Sequence, residues 1–388
     1  MSVYLDHAAT TPLHPAALAA YTAALGTVGN PSSIHSAGQG AKRLLEESRE
    51  RVAATLGCDP IEVVFTSGGT ESVNLGVKGL WWARQSDRPR PRLLVPGGEH
   101  HATVDTVEWL ERYEGAVVTT IPLDELGRVR LDALAAALDE HDDVALVTLL
   151  WANNEVGTMQ PVAEVVALAA AHGVPVHCDA VAAYGQVPID FRSTGLAALS
   201  VSAHKIGGPI GIGALVLARS ATVVPLIHGG GQQRQVRSGT QDAPAAAAFA
   251  VAAEQAHQPY EPLRDRLVEG VRRVVPGAVL RGDPVDRLPG NAHFTFPGCE
   301  GDSLLFLLDA AGVAVSTGSA CQAGIPEPSH VLLSMGLTAE EARGALRMTV
   351  GHTSTDADVD ALLAALPEAV ARATRAGYAD RAPALGAR

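Results

Sequence analysis

Cysteine is scarce: Cys58, Cys178, Cys299 and Cys321 are the only four in 388 residues, and no two form a C-x-x-C pair. That spacing excludes a disulfide framework or a zinc knuckle and suits a reducing compartment. Positive charge is also short, with 29 Lys and Arg against 42 Asp and Glu and a formal net charge of −13. Such a chain repels phosphate backbones and anionic surfaces unless its cations cluster, so neither nucleic acid nor membrane is an expected partner. No stretch reaches the ~18 uncharged apolar residues of a membrane span. Asp6 and His7 stand where a secretory signal needs a basic start. A cytoplasmic protein is expected. Charged residues amount to 18%, below the roughly 25% of an average soluble domain, while hydrophobic types reach 47%. Disorder as the main state is thereby excluded, and the length leaves room for two or three domains with a large core.

What is present is an alternation. Between Ala41 and Gly57, Leu44, Leu45, Val52 and Leu56 recur near helical spacing, and the continuous apolar run Val63 to Phe65 follows. The same helix-then-strand order returns, with strands expected at Leu93 to Val95, Val117 to Ile121, Val144 to Leu150, Pro175 to Cys178, Leu199 to Val201 and Ile212 to Leu217. Strands apolar on both sides, separated by helix-length segments, predict a mainly parallel α/β sheet covered on both faces. After about Ala256 the pattern loosens into a smaller α+β domain. The expected division is a large domain over 13–255 and a small one built from 1–12 and 256–388, with the Ala- and Arg-rich tail frayed from Thr374. Arg84, Arg88, Arg90 and Arg92, interleaved with prolines after Trp81 and Trp82, read as a solvated loop.

Three features carry chemistry. Thr66 to Ser72 passes from an apolar strand through Gly68 and Gly69 into a helix, so free N–H groups gather where an anion can bind; an ordinary strand-to-helix turn has the same signature. Asp179 closes an apolar strand at the edge where open α/β sheets place ligands, or else caps a helix. Lys205 lies 26 residues further on, beside the flexible run Ile206 to Gly211. A lysine becomes a nucleophile toward carbonyls when burial or a nearby cation lowers its pKa from about 10.4. Together these point to an aldehyde cofactor with a phosphate and a ring nitrogen, pyridoxal 5'-phosphate (PLP). Cys321 sits among small residues bounded by Pro326 and Pro328, which expose its thiol, while the other three cysteines read as buried and inert. His100 and His101 follow Glu99, but no third ligand stands at a sensible spacing for a metal.

These motifs, in this order, resemble the cysteine desulfurases, fold type I PLP enzymes. The resemblance runs from Tyr4 to about Leu366. It rests on Tyr4 to Pro12, Gly29 to Ser33, Thr66 to Ser72, Glu99 to Ala102, Asn153 to Gly157, His177 to Ala180, Ser202 to Lys205, Arg237 to Thr240, Ser319 to Cys321 and Leu346 to Gly351. The longer loop around Cys321 is similar to the branch serving general iron-sulfur cluster assembly.

The resemblance implies a transferase that converts L-cysteine to L-alanine, holds the sulfur as a persulfide on Cys321 and passes it to an acceptor or scaffold protein for iron-sulfur cluster or thio-cofactor synthesis. It implies that Lys205 holds the PLP aldehyde and moves protons at the substrate Cα, and that Asp179 pairs with the ring nitrogen. By the same resemblance His100 stacks on the ring and serves as acid or base toward the substrate thiol. Gly69, Thr70, Ser202 and His204 would hold the phosphate, with Thr240 reaching it from the other subunit of a homodimer. Asn154 would touch the ring hydroxyl or substrate, and Arg347 would clamp the substrate carboxylate. Two positions depart from the pattern. Ala182 replaces a Gln that donates to the ring hydroxyl, and Ile210 replaces a Lys after Gly208 and Pro209. A PLP lyase that stores no persulfide and a PLP-binding scaffold without activity share most of these motifs, and product analysis with cysteine separates the three.

Overall fold

The computed structural model describes residues 3–318 and 328–379, with side chains through 375. Cys321 lies outside the described residues. In chain order the strands are β1 (Val3–Tyr4), β2 (Val63–Thr66), β3 (Arg92–Pro96), β4 (Val117–Ile121), β5 (Val144–Leu150), β6 (Val176–Asp179), β7 (Ala198–Ser202) and β8 (Gly213–Leu217). Then come β9 (Val279–Leu280), β10 (Asn291–Thr295), β11 (Val313–Ala314) and β12 (Ala345–Thr349). A seven-stranded sheet runs β2-β8-β7-β6-β5-β3-β4. Its pairs are parallel except those made by β8, which is antiparallel to both neighbours. Every residue of β5 to β8 is buried. That is why these strands read as unbroken apolar runs rather than alternations.

Helices pack around this sheet, among them Ser36–Leu56, Gly69–Ala83, His101–Glu114 and Ala243–Gln255. The helix Gly69–Ala83 lies unusually close to the strands, since a Cβ on Gly76 would stand 2.6 Å from the ring of His177. His177 is fully buried and links three adjacent strands through Thr148 Oγ1 and Ser200 Oγ, each at 2.9 Å. Burial pushes its pKa down to about 3, so it is a neutral hydrogen-bonding strut.

A second sheet, β12-β10-β9, is antiparallel, and β1 pairs in parallel with β11. Around them a separate apolar cluster gathers Leu5 with Leu267, Phe294, Leu304, Leu346 and Leu362. Of the tail expected to fray from Thr374, residues 374–379 are helical, and 380–388 lie outside the described residues. The last helix runs Asp356–Ala379, Ala373 is 1% exposed, and Thr374 Oγ1 donates to the Val370 carbonyl and meets Cys299 Sγ at 3.2 Å. Ala-rich composition favours helix, and the contact with Cys299 anchors the turn. No helix of the described residues is long and apolar enough to cross a membrane.

Candidate active site

A cavity of about 400 Å³ opens at the carboxyl ends of the parallel strands. Its floor carries Asp179 at the end of β6 and Leu150 at the end of β5, which are register partners. Ser202 closes β7, and a short 3-10 turn, Ala203–Lys205, then brings His204 and Lys205 to the same rim. The strand order thus turns three separate segments into one wall.

Lys205 Nζ donates to the carbonyls of Ala8 at 2.5 Å and Ala9 at 2.9 Å. Burial, with Arg347 adding like charge, lowers its pKa to about 8, so a sizeable fraction is free amine near neutrality. Asp179 Oδ1 accepts from the Val181 N–H at 2.9 Å. Burial lifts its carboxyl to about 6, with Val181 and Lys205 pulling the other way. His100 caps the helix His101–Glu114, its Nδ1 accepting the Ala102 N–H at 3.0 Å. Shelter from water, then Lys205 and His101, hold it down to about 4. A neutral ring whose Nδ1 is an acceptor carries its proton on Nε2.

Opposite Lys205 the helix Gly69–Ala83 begins after Gly68, at φ 150°. Gly69 packs closely here, since a Cβ would lie 2.7 Å from Val181 Cγ2 and would force that side chain to shift. The first-turn N–H groups of such a helix lack intrahelical acceptors and attract an anion. Glu71, held by Ser67 N–H at 2.7 Å and by Arg237 at 2.8 Å, braces the turn. His204 Nδ1 pairs with Thr10 Oγ1 at 3.1 Å; with the hydroxyl donating, Nε2 keeps a proton for an anion.

Arg347, on β12, sends Nη1 to the Asn154 carbonyl at 2.8 Å and Nη2 to Asp6 at 3.0 Å. Its Nε, together with Ser202 Oγ and Asn154 Oδ1, is buried and has no protein partner among the described residues. Buried polar groups in that state are costly unless something else satisfies them. A cation edge, an anion turn, an amine and a buried carboxylate around one cavity make the donor set that a phosphorylated pyridine aldehyde requires.

The Aminotransferase class-V family model matches residues 3–362. The chain belongs to that family. Within it the chain is 56% identical to an IscS-like cysteine desulfurase of Mycobacterium tuberculosis, across 97% of this chain and 98% of that one. It is 40% identical to the cysteine desulfurase IscS of Methanosarcina thermophila, across 95% and 92%. Among solved structures it superimposes on a NifS-like protein with a TM-score of 0.88 at 34% identity, covering 96% and 100%. The structure of SspA in complex with cysteine gives a TM-score of 0.80 at 32% identity, covering 92% and 100%. The chain is therefore a fold type I enzyme of the cysteine desulfurase kind, with PLP as its cofactor. The unpartnered atoms and the Gly69 cradle fit that group.

Of the residues singled out from sequence, Lys205, His100, Asp179, Gly69, Thr70, Asn154, Ser202, His204 and Arg347 all line the cavity. Thr240 is exposed and does not line it within one copy of the chain. Burial raises all three described thiols, Cys58 to about 12, and Cys178 and Cys299 upward as well. Ala182 lines the cavity with no side-chain donor, and Ile210 is 82% exposed, away from it. Sequence reasoning missed Asp6 as the partner of Arg347 and the Ala8 and Ala9 carbonyls as acceptors for Lys205. The only available signal was the small-residue run after Asp6, since a backbone carbonyl carries no side-chain mark.

Proposed function

We propose that this enzyme takes sulfur from L-cysteine, releases L-alanine, and carries the sulfur as a persulfide on Cys321 to an acceptor protein in iron-sulfur cluster or thio-cofactor synthesis. The substrate Cβ–S bond breaks as an S–S bond to Cys321 forms; the electron pair stays with the substrate carbon, which takes up one of the two thiol protons to become the alanine methyl, the other proton stays on the persulfide, and no outside oxidant or reductant is consumed. The carrying observation is that Lys205, Asp179, His100 and the free Nε edge of Arg347 converge on one cavity. Bound there, PLP supplies an aldehyde for amines and a protonated ring that draws electrons from the substrate Cα.

Arg347 offers Nε and the remaining Nη hydrogens to the substrate carboxylate, while Asn154 and Asp6 fix the plane of its fork. Lys205 holds the cofactor aldehyde and, once free, moves the proton at Cα; its lowered pKa suits both tasks. Asp179 pairs with the ring nitrogen. His100 stacks on the ring and presents Nε2–H to the substrate sulfur, as a donor. The turn at Gly69 and Thr70, with Ser202 and His204, takes the phosphate. The exposed position of Thr240 suits a contact with the phosphate of a second copy in a homodimer. We place the large domain at 13–255 and the small one at 1–12 with 256–388, which sets the cavity between them. A cytoplasmic location accords with this chemistry, since the Cys321 thiol must stay reduced to accept sulfur.

Incubation with L-cysteine decides the reading. Alanine and protein-bound persulfide are expected, both lost in Cys321→Ala while PLP stays bound. Pyruvate with sulfide and ammonia would show a lyase, and no product would show a scaffold.

A further inference from the structure

Glu99 is used by none of these steps, yet it is 2% exposed at the rear of the site. Its Oε1 accepts the Leu150 N–H at 2.9 Å, and its Oε2 is buried without a protein partner among the described residues. Leu150 is the register partner of Asp179, and the next residue, Trp151, donates its N–H to the Asp179 carbonyl at 2.8 Å. The Glu99 backbone carbonyl accepts from His330 Nε2 at 2.8 Å, and Asn153 Nδ2 donates to the neighbouring Gly98 carbonyl at 3.0 Å. Glu99 is therefore tied to the strand end that carries the ring-binding carboxylate and is followed directly by His100.

We propose that Glu99 is a positioning residue held as a neutral carboxylic acid, which locks the end of β5 against Asp179 and leaves the negative charge beneath the ring to Asp179. This rests on the assignment of Asp179 to the ring nitrogen. The groups facing Glu99 agree with a retained proton. Asp179 and Cys178 on β6 supply no compensating cation, and His330 binds only the backbone. His100 is itself held neutral, and Lys205 lies toward Asp179 on the cavity side. Burial, reinforced by the Asp179 charge, lifts the Glu99 carboxyl well above its usual range.

Two variants separate charge from geometry. Glu99→Gln keeps an acceptor for Leu150 and is neutral at every pH; Glu99→Ala leaves that buried N–H unpaired. A folded state that retains a proton the unfolded chain has lost becomes less stable as pH rises above the unfolded value. In the cofactor-free protein, the melting temperature of Glu99→Gln should therefore exceed that of wild type by a margin that widens from pH 5 to pH 8. In the PLP-loaded enzyme, the Gln variant should retain PLP on dialysis and keep the pH midpoint of the visible band. The Ala variant should lose PLP about tenfold more readily and shift that midpoint. A margin that stays constant with pH, a Gln variant that loses PLP like Ala, or an Ala variant matching wild type would each overturn the proposal. Because melting and PLP retention need no turnover, failure here is distinguishable from failure of the desulfurase reading, which product analysis tests.

Discussion

Asp6 and Arg347, separated by 341 positions in the chain, form an ion pair of 3.0 Å beside the cavity that Arg347 lines. The Arg347 side chain is 5% exposed and that of Asp6 20%, so the pair is partly shielded from water. Asp6 is in turn placed by Tyr4, whose hydroxyl donates to the carbonyls of Asp6 at 3.0 Å and Thr10 at 2.7 Å.

Removing Asp6 therefore frees the guanidinium to rotate away from the carboxylate it must clamp. Asp6→Ala is expected to raise KM for cysteine roughly fivefold to thirtyfold, on the ~1 to 2 kcal/mol of a lost charge-assisted hydrogen bond. Because the loss lies in carboxylate binding, kcat should change much less. Asp6→Asn, which keeps an acceptor for Nη2, should recover most of that loss. Steady-state kinetics on both variants check it, and equal KM in Asp6→Ala and wild type would remove Asp6 from the binding argument.

Lys205 supplies a pH prediction. With the amine titrating at about 8, the rate of PLP capture by cofactor-free protein should rise with pH up to about 8 and then level off. The rise comes from the growing free-amine fraction, so an ordinary lysine would instead keep gaining about tenfold per pH unit through pH 9. Stopped-flow absorbance reads the rate, and borohydride reduction with peptide mapping locates the label. The chain has two other lysines, Lys42 and Lys78. Lys42 is exposed and Lys78 rests on the Trp109 ring at 4.0 Å, so a label on either one contradicts the site.

On the proposed placement of the ring, Ala182 offers its hydroxyl no side-chain donor, and Asn154 remains on the cavity wall. One neutral hydrogen bond is worth ~0.5 to 1.5 kcal/mol, or a two- to tenfold effect on a dependent step. Ala182→Gln should shift the pH midpoint of the visible band and raise alanine formation by no more than about tenfold. If neither observable moves, the hydroxyl already has its partner.

The sheet was legible because burial on both faces writes itself as continuous apolar runs, as in Val144 to Leu150. That Asp179 and Lys205 meet at one cavity was legible for a related reason: they interrupt or follow such runs at strand ends, where ligands gather. Asp6 was not, since its role depends on a partner 341 residues away, and local sequence gives no sign of that pairing. Glu99 resembled an ordinary polar neighbour of His100, because only the assembled β5–β6 edge surrounds it. The helical stretch from Thr374 to Ala379 was missed for the same cause. Alanines near Thr374 carry little pattern of their own, and the anchoring contact comes from Cys299.

The segment around Ala8 and Ala9 also sets an order of assembly. The Ala8 N–H is held by Thr349 Oγ1 at 2.9 Å, so the wall that receives Lys205 cannot close until β12 has been made. A ribosome adding about 5 to 20 residues per second needs roughly 7 to 30 s to travel from Lys205 to Thr349. During that interval the nascent chain has its lysine and its phosphate turn but no finished chamber around them. The wall that holds the Lys205 amine is therefore complete only when the C-terminal third of the chain has been made, after every strand of the large sheet.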